Sequence, residues 1–351
     1  MWKEILLNYG IFLLELLTIF GIVAVIVMII LESRKQPNTG TISILNLTEK
    51  YQEQKKELTS FFLSEVERKL QAKQEKKAEK EKAKQEKARL KADEEIDTEQ
   101  KARLFVLKFT GDIQASAVEG LRKEIDAIIT LADSEKDEVL LCLESPGGVV
   151  HGYGLAASQL ERLKTRHIHL TVAVDKVAAS GGYMMACVAN RIIAAPFAIL
   201  GSVGVVAQVP NIHRLLKKHD VDVDVMTAGE YKRTVTFAGE NTEKGKEKFQ
   251  QELEETHKLF KAFVAKNRPQ LDIDRIATGE HWLGQQAIEL KLIDEISTSD
   301  DLILDAVTTK DVIQIKFHHK KKLAERLGEQ VETRFENLLN KWLHKSRSPL
   351  L

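Results

Sequence analysis

Ser180 stands in the run Asp175-Lys176-Val177-Ala178-Ala179-Ser180-Gly181-Gly182-Tyr183, between an apolar stretch (His169 to Val174) and a helix-compatible one (Tyr183 to Asn190). A hydroxyl where a strand gives way to a helix lies beside unpaired backbone N–H groups and the positive end of a helix dipole. A serine nucleophile needs that setting. The G-x-S-x-G pattern itself is absent, because Ala178 occupies the place of the first glycine. The plainer role for Ser180 is a capping serine in a tight turn. A second loop, Ser145-Pro146-Gly147-Gly148, follows the short apolar run Val139 to Leu143. Proline fixes φ, and glycines let backbone N–H groups point into a cleft without side-chain obstruction. Acyl transfer needs such donors where a carbonyl oxygen becomes negative. Gly148 N–H and Gly181 N–H are the expected oxyanion donors, with Gly147 in the same oxyanion and substrate-binding loop.

A nucleophilic serine also needs a base. His151 follows the first glycine loop and could face a cleft; His213, His219 and His257 fall on polar helix faces; His281 is near a late turn; His318 and His319 are in a basic tail. Each fits a surface or structural histidine. The other choice is lysine, which accepts a proton only when neutral. Burial must then lower an amine from about 10.4 by roughly three units, at about 4 kcal/mol. Lys176 lies on the approach to the Ser180 turn. Lys232 lies in Thr227-Ala228-Gly229-Glu230-Tyr231-Lys232-Arg233-Thr234, a polar loop after an expected strand (Val221 to Met226). On the residues alone, a lysine in such a loop is usually solvated.

The elements that must position these groups alternate. Leu104 to Phe109 reads as a strand, Ala115 to Leu131 as a helix, Val139 to Leu143 as a buried strand, Gly152 to Leu163 as a helix and His169 to Val174 as a strand. That order predicts an α/β body on parallel strands, with ligands gathering at the strands' carboxyl ends. Ala198 to Val209 is apolar and glycine-punctuated, fitting buried core or a cleft wall. Its Val203-Gly204-Val205 could receive an extended peptide by β-addition. A long helix is expected from Asn241 or Thr242 through Lys266, with Phe249, Leu253, Phe260 and Val264 on one face. Trp282 to Asp294 reads as a closing helix and turn, and Val312 to Phe317 as a strand.

The termini differ from the body. Ile11 to Leu31 is apolar apart from Glu15, Thr18 and Gly21, long enough for a membrane span and too long for a cleaved signal core. Residues 1–35 are therefore expected to be a membrane anchor. Arg34 and Lys35 after the span weakly favour a cytoplasmic body. Residues 36–102 are expected to be a charged, lysine-rich helical linker, 103–310 the functional domain, and 311–351 a strand with a basic amphipathic helix (Leu323 to Trp342) for lipid or a partner. The chain of 351 residues carries 52 Lys and Arg against 52 Asp and Glu, so no overall charge draws it to nucleic acid. Its two cysteines, Cys142 and Cys187, sit in apolar runs and read as reduced core residues.

Together, Ser145-Pro146-Gly147-Gly148, Ala179-Ser180-Gly181-Gly182-Tyr183, Gly201-Ser202-Val203-Gly204-Val205, Gly229-Glu230-Tyr231-Lys232-Arg233 and Gly279-Glu280-His281-Trp282-Leu283-Gly284-Gln285-Gln286-Ala287 resemble the S49 peptidases, the signal peptide peptidase A family, over residues 103–300. The lysine-rich insert after one anchor resembles the SohB branch of that family. The resemblance implies a ClpP/crotonase-like α/β body, a Ser180 nucleophile and a Lys232 general base. It implies a bacterial inner-membrane, single-pass serine endopeptidase acting on peptide or protein substrates, membrane-associated or signal-peptide-like. It also implies a ring-shaped homo-oligomer in which serine and lysine come from neighbouring protomers. No metal or cofactor is implied. The chain departs from the long members in having one catalytic-type body, and from the usual topology in its flanking charges, which leave the membrane face of the body open. Two other classes remain: a crotonase-type acyl-CoA enzyme, which would share the oxyanion loops, and a non-catalytic membrane scaffold.

Overall fold

The computed structural model describes residues 40–70 and 101–318, with scattered positions from 10 to 21 and from 73 to 84. One compact unit runs from Ser43 to Lys316; residues 1–42 and 317–351 form another. The expected anchor (1–35) and tail helix (Leu323 to Trp342) fall in that other unit, mostly or wholly outside the described residues. Among the described residues no helix is long and apolar enough to cross a membrane.

Strands and helices alternate as the apolar runs require. The order is β1 (Thr41–Asn46), α1 (Leu47–Phe62), β2 (Arg103–Thr110), α2 (Val118–Leu131), β3 (Glu138–Glu144), α3 (Val150–Thr165) and β4 (His169–Val174). Next come β5 (Val177–Ala179), α4 (Gly181–Ala186), β6 (Arg191–Ala194), β7 (Ile199–Gly201), α5 (His213–Lys218), α6 (Glu243–Asn267) and α7 (Ile273–Ile276). Last are β8 (His281–Leu283), α8 (Gly284–Glu289), β9 (Glu295–Ile296), α9 (Ser299–Thr309) and β10 (Asp311–His318). The larger sheet has the order β1-β10-β2-β3-β4-β6-β9, parallel from β10 to β9. A small mixed sheet joins β5 parallel to β7 and β7 antiparallel to β8.

Successive side chains on a strand point to opposite faces, so a strand buried on both sides must be apolar throughout. Along β2, Phe105, Leu107 and Phe109 enter one core with Leu121 and Ile125 of α2 and Leu160 of α3. Leu104 and Val106 enter a second core with Ile303 and Ala306 of α9 and Leu47 of α1. Helices therefore cover both faces of the sheet.

Three features differ from the sequence-based expectation. The compact unit extends beyond 103–310 at both ends: Leu47 and Thr48 are buried, and Thr48 Oγ1 accepts the Val312 N–H at 2.8 Å. The first part of the expected linker thus packs on the sheet, because Leu47 supplies an apolar side chain and Thr48 a partner for an edge amide. Val221 to Met226 is not a strand; Val221, Val225 and Met226 are exposed, with no neighbouring strand to pair them. And β4 does not lead straight into Ser180, since β5 in the second sheet intervenes. The long helix is as expected within a residue or two: the Thr242 side chain caps it, accepting the Gly245 N–H at 3.1 Å.

Asp137 ties the sheet's entry together. Its carboxylate accepts the Arg103 N–H at 2.9 Å, the Asp133 N–H at 2.8 Å and the Arg103 guanidinium. Burial alone would raise this carboxyl, but the Arg103 guanidinium and the two amides outweigh it and hold the group below the usual carboxylate range. A folded-state value below the unfolded one adds stability that is complete above about pH 4 and vanishes as pH falls through the folded value. Asp137→Asn should lower the unfolding free energy by about 2 kcal/mol at neutral pH. Denaturant titrations of both proteins check this: the gap should close on acidification, since the asparagine cannot titrate.

Candidate active site

β5 sits between the two glycine loops and locks them together. Ser145 N–H donates to Val177 O at 2.8 Å, and Ala179 N–H donates to Ser145 O at 3.0 Å. On the other side, Ser180 N–H donates to Gly201 O at 2.8 Å at the end of β7. These bonds hold Ser180 at φ +52 and ψ −118, outside the wells that a serine prefers. A residue kept in such a sparsely populated region costs on the order of 1–3 kcal/mol and persists only where its surroundings over-determine it. Ser180 is half-buried and caps α4 as its N-cap without a side-chain bond to the helix, so its hydroxyl is not consumed by capping.

The glycines are required by close approach. A Cβ on Gly147 (φ +90) would lie 2.7 Å from Ser180 Cβ and 2.8 Å from Gly181 N; one on Gly148 would lie 2.1 Å from Ile113 O. Two of the expected oxyanion amides, Gly148 N–H and Gly181 N–H, make no hydrogen bond within the described residues. Gly147 is different. Its N–H donates to Ser145 Oγ at 3.1 Å inside the body, and Gly147 lines the cleft.

That cleft has a volume of about 640 Å3. Its lining includes Gly148, Ser180, Gly181, Ser202, Val205, Val206, His257 and Phe260. Of the stretch Val203 to Val205, Gly204 and Val205 line the cleft and Val203 is buried behind it. Beside it, the backbone groups of Gly204, Val205 and Val206 make no hydrogen bond within the described residues.

Sequence reasoning assigned His257 to a polar helix face, whereas it lines the cleft, its Nε2 lying 3.3 Å from Val203 O. The signal was present in the spacing: Leu253, His257, Phe260 and Val264 recur at helical intervals, and Phe260 and Val264 are buried. His151 is exposed at the start of α3 and does not line the cleft.

Neither lysine considered as a base lies in the cleft lining. Lys176 pairs with both oxygens of Glu144 at 3.0 and 3.1 Å. Lys232 is exposed at the end of a turn closed by its N–H on Gly229 O at 3.2 Å. That turn is tethered to α6, where Lys244 pairs with Glu230 and the Lys244 and Lys248 ammoniums lie over the Tyr231 ring.

The family model described as Peptidase family S49 N-terminal matches residues 4–160, and the one described as Peptidase family S49 matches residues 162–313. A protein of Haemophilus influenzae described as Probable protease SohB is 60% identical over 347 residues, 98% of this chain and 98% of its own length. A protein of the same description from Buchnera aphidicola subsp. Schlechtendalia chinensis is 49% identical over 303 residues, 86% of this chain and 99% of its own. Among solved structures, a ClpP1 mutant from Listeria monocytogenes aligns with 56% of this chain and 92% of its own at 14% identity and a TM-score of 0.38. That likeness is too slight to bear on the site; the sequence kinship, which runs almost end to end, is another matter, and by it the chain belongs to peptidase family S49.

Proposed function

We propose that this chain is a membrane-anchored serine endopeptidase in which Ser180 is the nucleophile and Lys232 of a neighbouring copy is the general base. One observation carries the reading. In a chain of a peptidase family, Ser180 is held in an unfavourable backbone conformation, in a cleft, beside the unbonded amides of Gly148 and Gly181. A neutral amine takes the hydroxyl proton as Oγ attacks the peptide carbonyl carbon. The carbonyl electron pair moves onto oxygen, which the two amides receive, and the amine returns its proton to the departing nitrogen. Water then releases the acyl group by the same steps in reverse.

Lys232 stands outside the cleft of its own chain, so the reading requires an assembly. A ring-shaped homo-oligomer that carries the Gly229-to-Lys232 turn to the next protomer meets the need. It would also cover Val206 and Met226, which are 91% and 90% exposed. The unbonded backbone of Gly204 to Val206 suits an extended peptide substrate added as a strand. With Ile11 to Leu31 as an anchor in lipid of the bacterial inner membrane, the substrates are membrane-associated or signal-peptide-like polypeptides.

Ser180→Ala and Lys232→Ala should each abolish cleavage of a reporter peptide. If the lysine comes from a neighbour, mixing the two inactive proteins under subunit exchange should restore about a quarter of the sites, by random assortment around a ring. No recovery in a verified mixed assembly would rule out a dyad shared between copies. An amine base also makes the acylation rate rise with pH until the amine has lost its proton, so a flat profile from about pH 6 to about pH 10 in single-turnover measurements would exclude it. Gly148→Ala forces the loop off Ile113 O, and kcat should fall about a hundredfold with Ser180 intact, as loss of an oxyanion donor does.

A further inference from the structure

We infer that Ser145 and Tyr153 are positioning residues whose hydroxyls form a one-way hydrogen-bond chain that sets the direction of the oxyanion loop. The inference rests on the reading of Gly148 N–H as an oxyanion donor.

The direction of each bond follows from chemistry. Tyr153 Oη lies 2.8 Å from Asp112 O, a carbonyl that can only accept, so the phenol proton is used there. Tyr153 Oη also lies 2.6 Å from Ser145 Oγ. With its own proton spent, the phenol must accept, and Ser145 must donate. Ser145 Oγ then has lone pairs for the Gly147 N–H at 3.1 Å. The order is Gly147 N–H to Ser145 Oγ–H, to Tyr153 Oη–H, to Asp112 O. Each hydroxyl accepts from one side and donates to the other, so the links polarise one another.

Both hydroxyl residues are fully buried, where an unpaired polar group is costly. Burial also keeps the Tyr153 phenol above its ordinary value, so it remains a donor. The consequence is geometric. The peptide between Pro146 and Gly147 is held with its N–H turned into the body. Gly147, at φ +90, then carries the chain round to the next peptide, whose Gly148 N–H is unbonded. Asp112, where the relay ends, neighbours Ile113, whose carbonyl accepts the Val149 N–H at 2.8 Å and meets Gly148 from behind. One loop, 111–115, therefore supports both ends of the oxyanion segment. A serine nucleophile can be present without this relay, so the relay is a separate claim about how the hole is aimed.

The test uses the full-length assembled protein and the variants Tyr153→Phe, Ser145→Ala and the double variant. Tyr153→Phe keeps the ring and removes one link, which guards against a folding failure in the serine variant. Measured are kcat and KM on a reporter peptide, the affinity of a tripeptide aldehyde that forms a tetrahedral adduct with Ser180, and the thermal midpoint. Each single variant should lower kcat about tenfold, less than the roughly hundredfold loss of a donor itself, with KM little changed. The aldehyde should weaken by a similar factor. The double variant should be no worse than either single one, because both break the same chain. Unchanged kcat and aldehyde affinity in folded Tyr153→Phe overturns the inference. So do losses that multiply in the double variant, or losses that follow the thermal midpoint and raise KM as well. Ser180→Ala separates the two claims. Cleavage by Ser180→Ala would remove the functional reading. An inactive Ser180→Ala beside a fully active Tyr153→Phe would remove the relay alone.

Discussion

The backbone of Ser180 is the point on which the site depends. At φ +52 and ψ −118 it occupies a conformation that a serine leaves unless neighbours prevent it. The neighbours here are backbone atoms. Gly201 O receives its N–H, Ser145 O receives the preceding amide of Ala179, and its own carbonyl receives Met184 N–H at 2.9 Å. These main-chain bonds place the Ser180 turn, Ser145 and the end of β7 relative to one another through the small sheet. The strain at one residue is offset by the pairing of β5 on both of its edges.

That arrangement needs a rigid support, and the two cores provide it. The alternating faces of β2 bury Phe105, Leu107 and Phe109 under α2 and α3, and Leu104 and Val106 under α9 and α1. The cleft's other wall comes from α6, which carries His257 and Phe260. Its end is fixed by Arg268, whose side chain is 3% exposed and bonds both oxygens of Asp294 at 2.7 and 2.9 Å and Lys291 O at 3.1 Å. Tyr183 Oη donates to Leu292 O at 2.9 Å, so α4 and α6 are fastened to the same turn. Within the described residues no buried side-chain polar atom lacks a partner. A buried polar network costs least when it is complete, and a complete one keeps loop geometry within narrow limits.

The segment from Val206 to Phe237 contrasts with the body. Val206, Leu215, Val225, Met226 and Phe237 are exposed, and the segment contains one short helix, α5. Few long-range backbone bonds hold it, among them Ile212 N–H to Phe237 O at 2.9 Å. Apolar side chains left in water at this density are characteristic of surfaces that meet a partner. The stretch carries Lys232, the lysine that the functional reading needs and that the single chain leaves outside its cleft.

Much of this protein was legible in local order. Apolar runs marked β3 and β4, with Thr171 the one polar side chain inside them, because a strand covered on both faces has no side on which a polar residue is free. Thr242 marked the start of α6, because a capping hydroxyl acts over three residues. Ser180 and its glycines marked a turn at a helix start, because the unpaired amides of a first turn are a local matter. What local order could not decide was which groups are consumed by distant partners. Gly147 and Gly148 are adjacent and alike in sequence; the Gly147 amide goes to Ser145 Oγ two residues back, and it is Tyr153 and Asp112, arriving from elsewhere, that fix which way that hydroxyl points. β5 forms a strand only because β7 and Ser145 lie on either side of it. His257 faces the cleft because Phe260 and Val264 turn that stripe of α6 inward. Leu47 joins the core because β10, 264 residues after Thr48, presents an edge to it. Sequence spacing determines which side chains share a face; only the folded chain determines what that face meets.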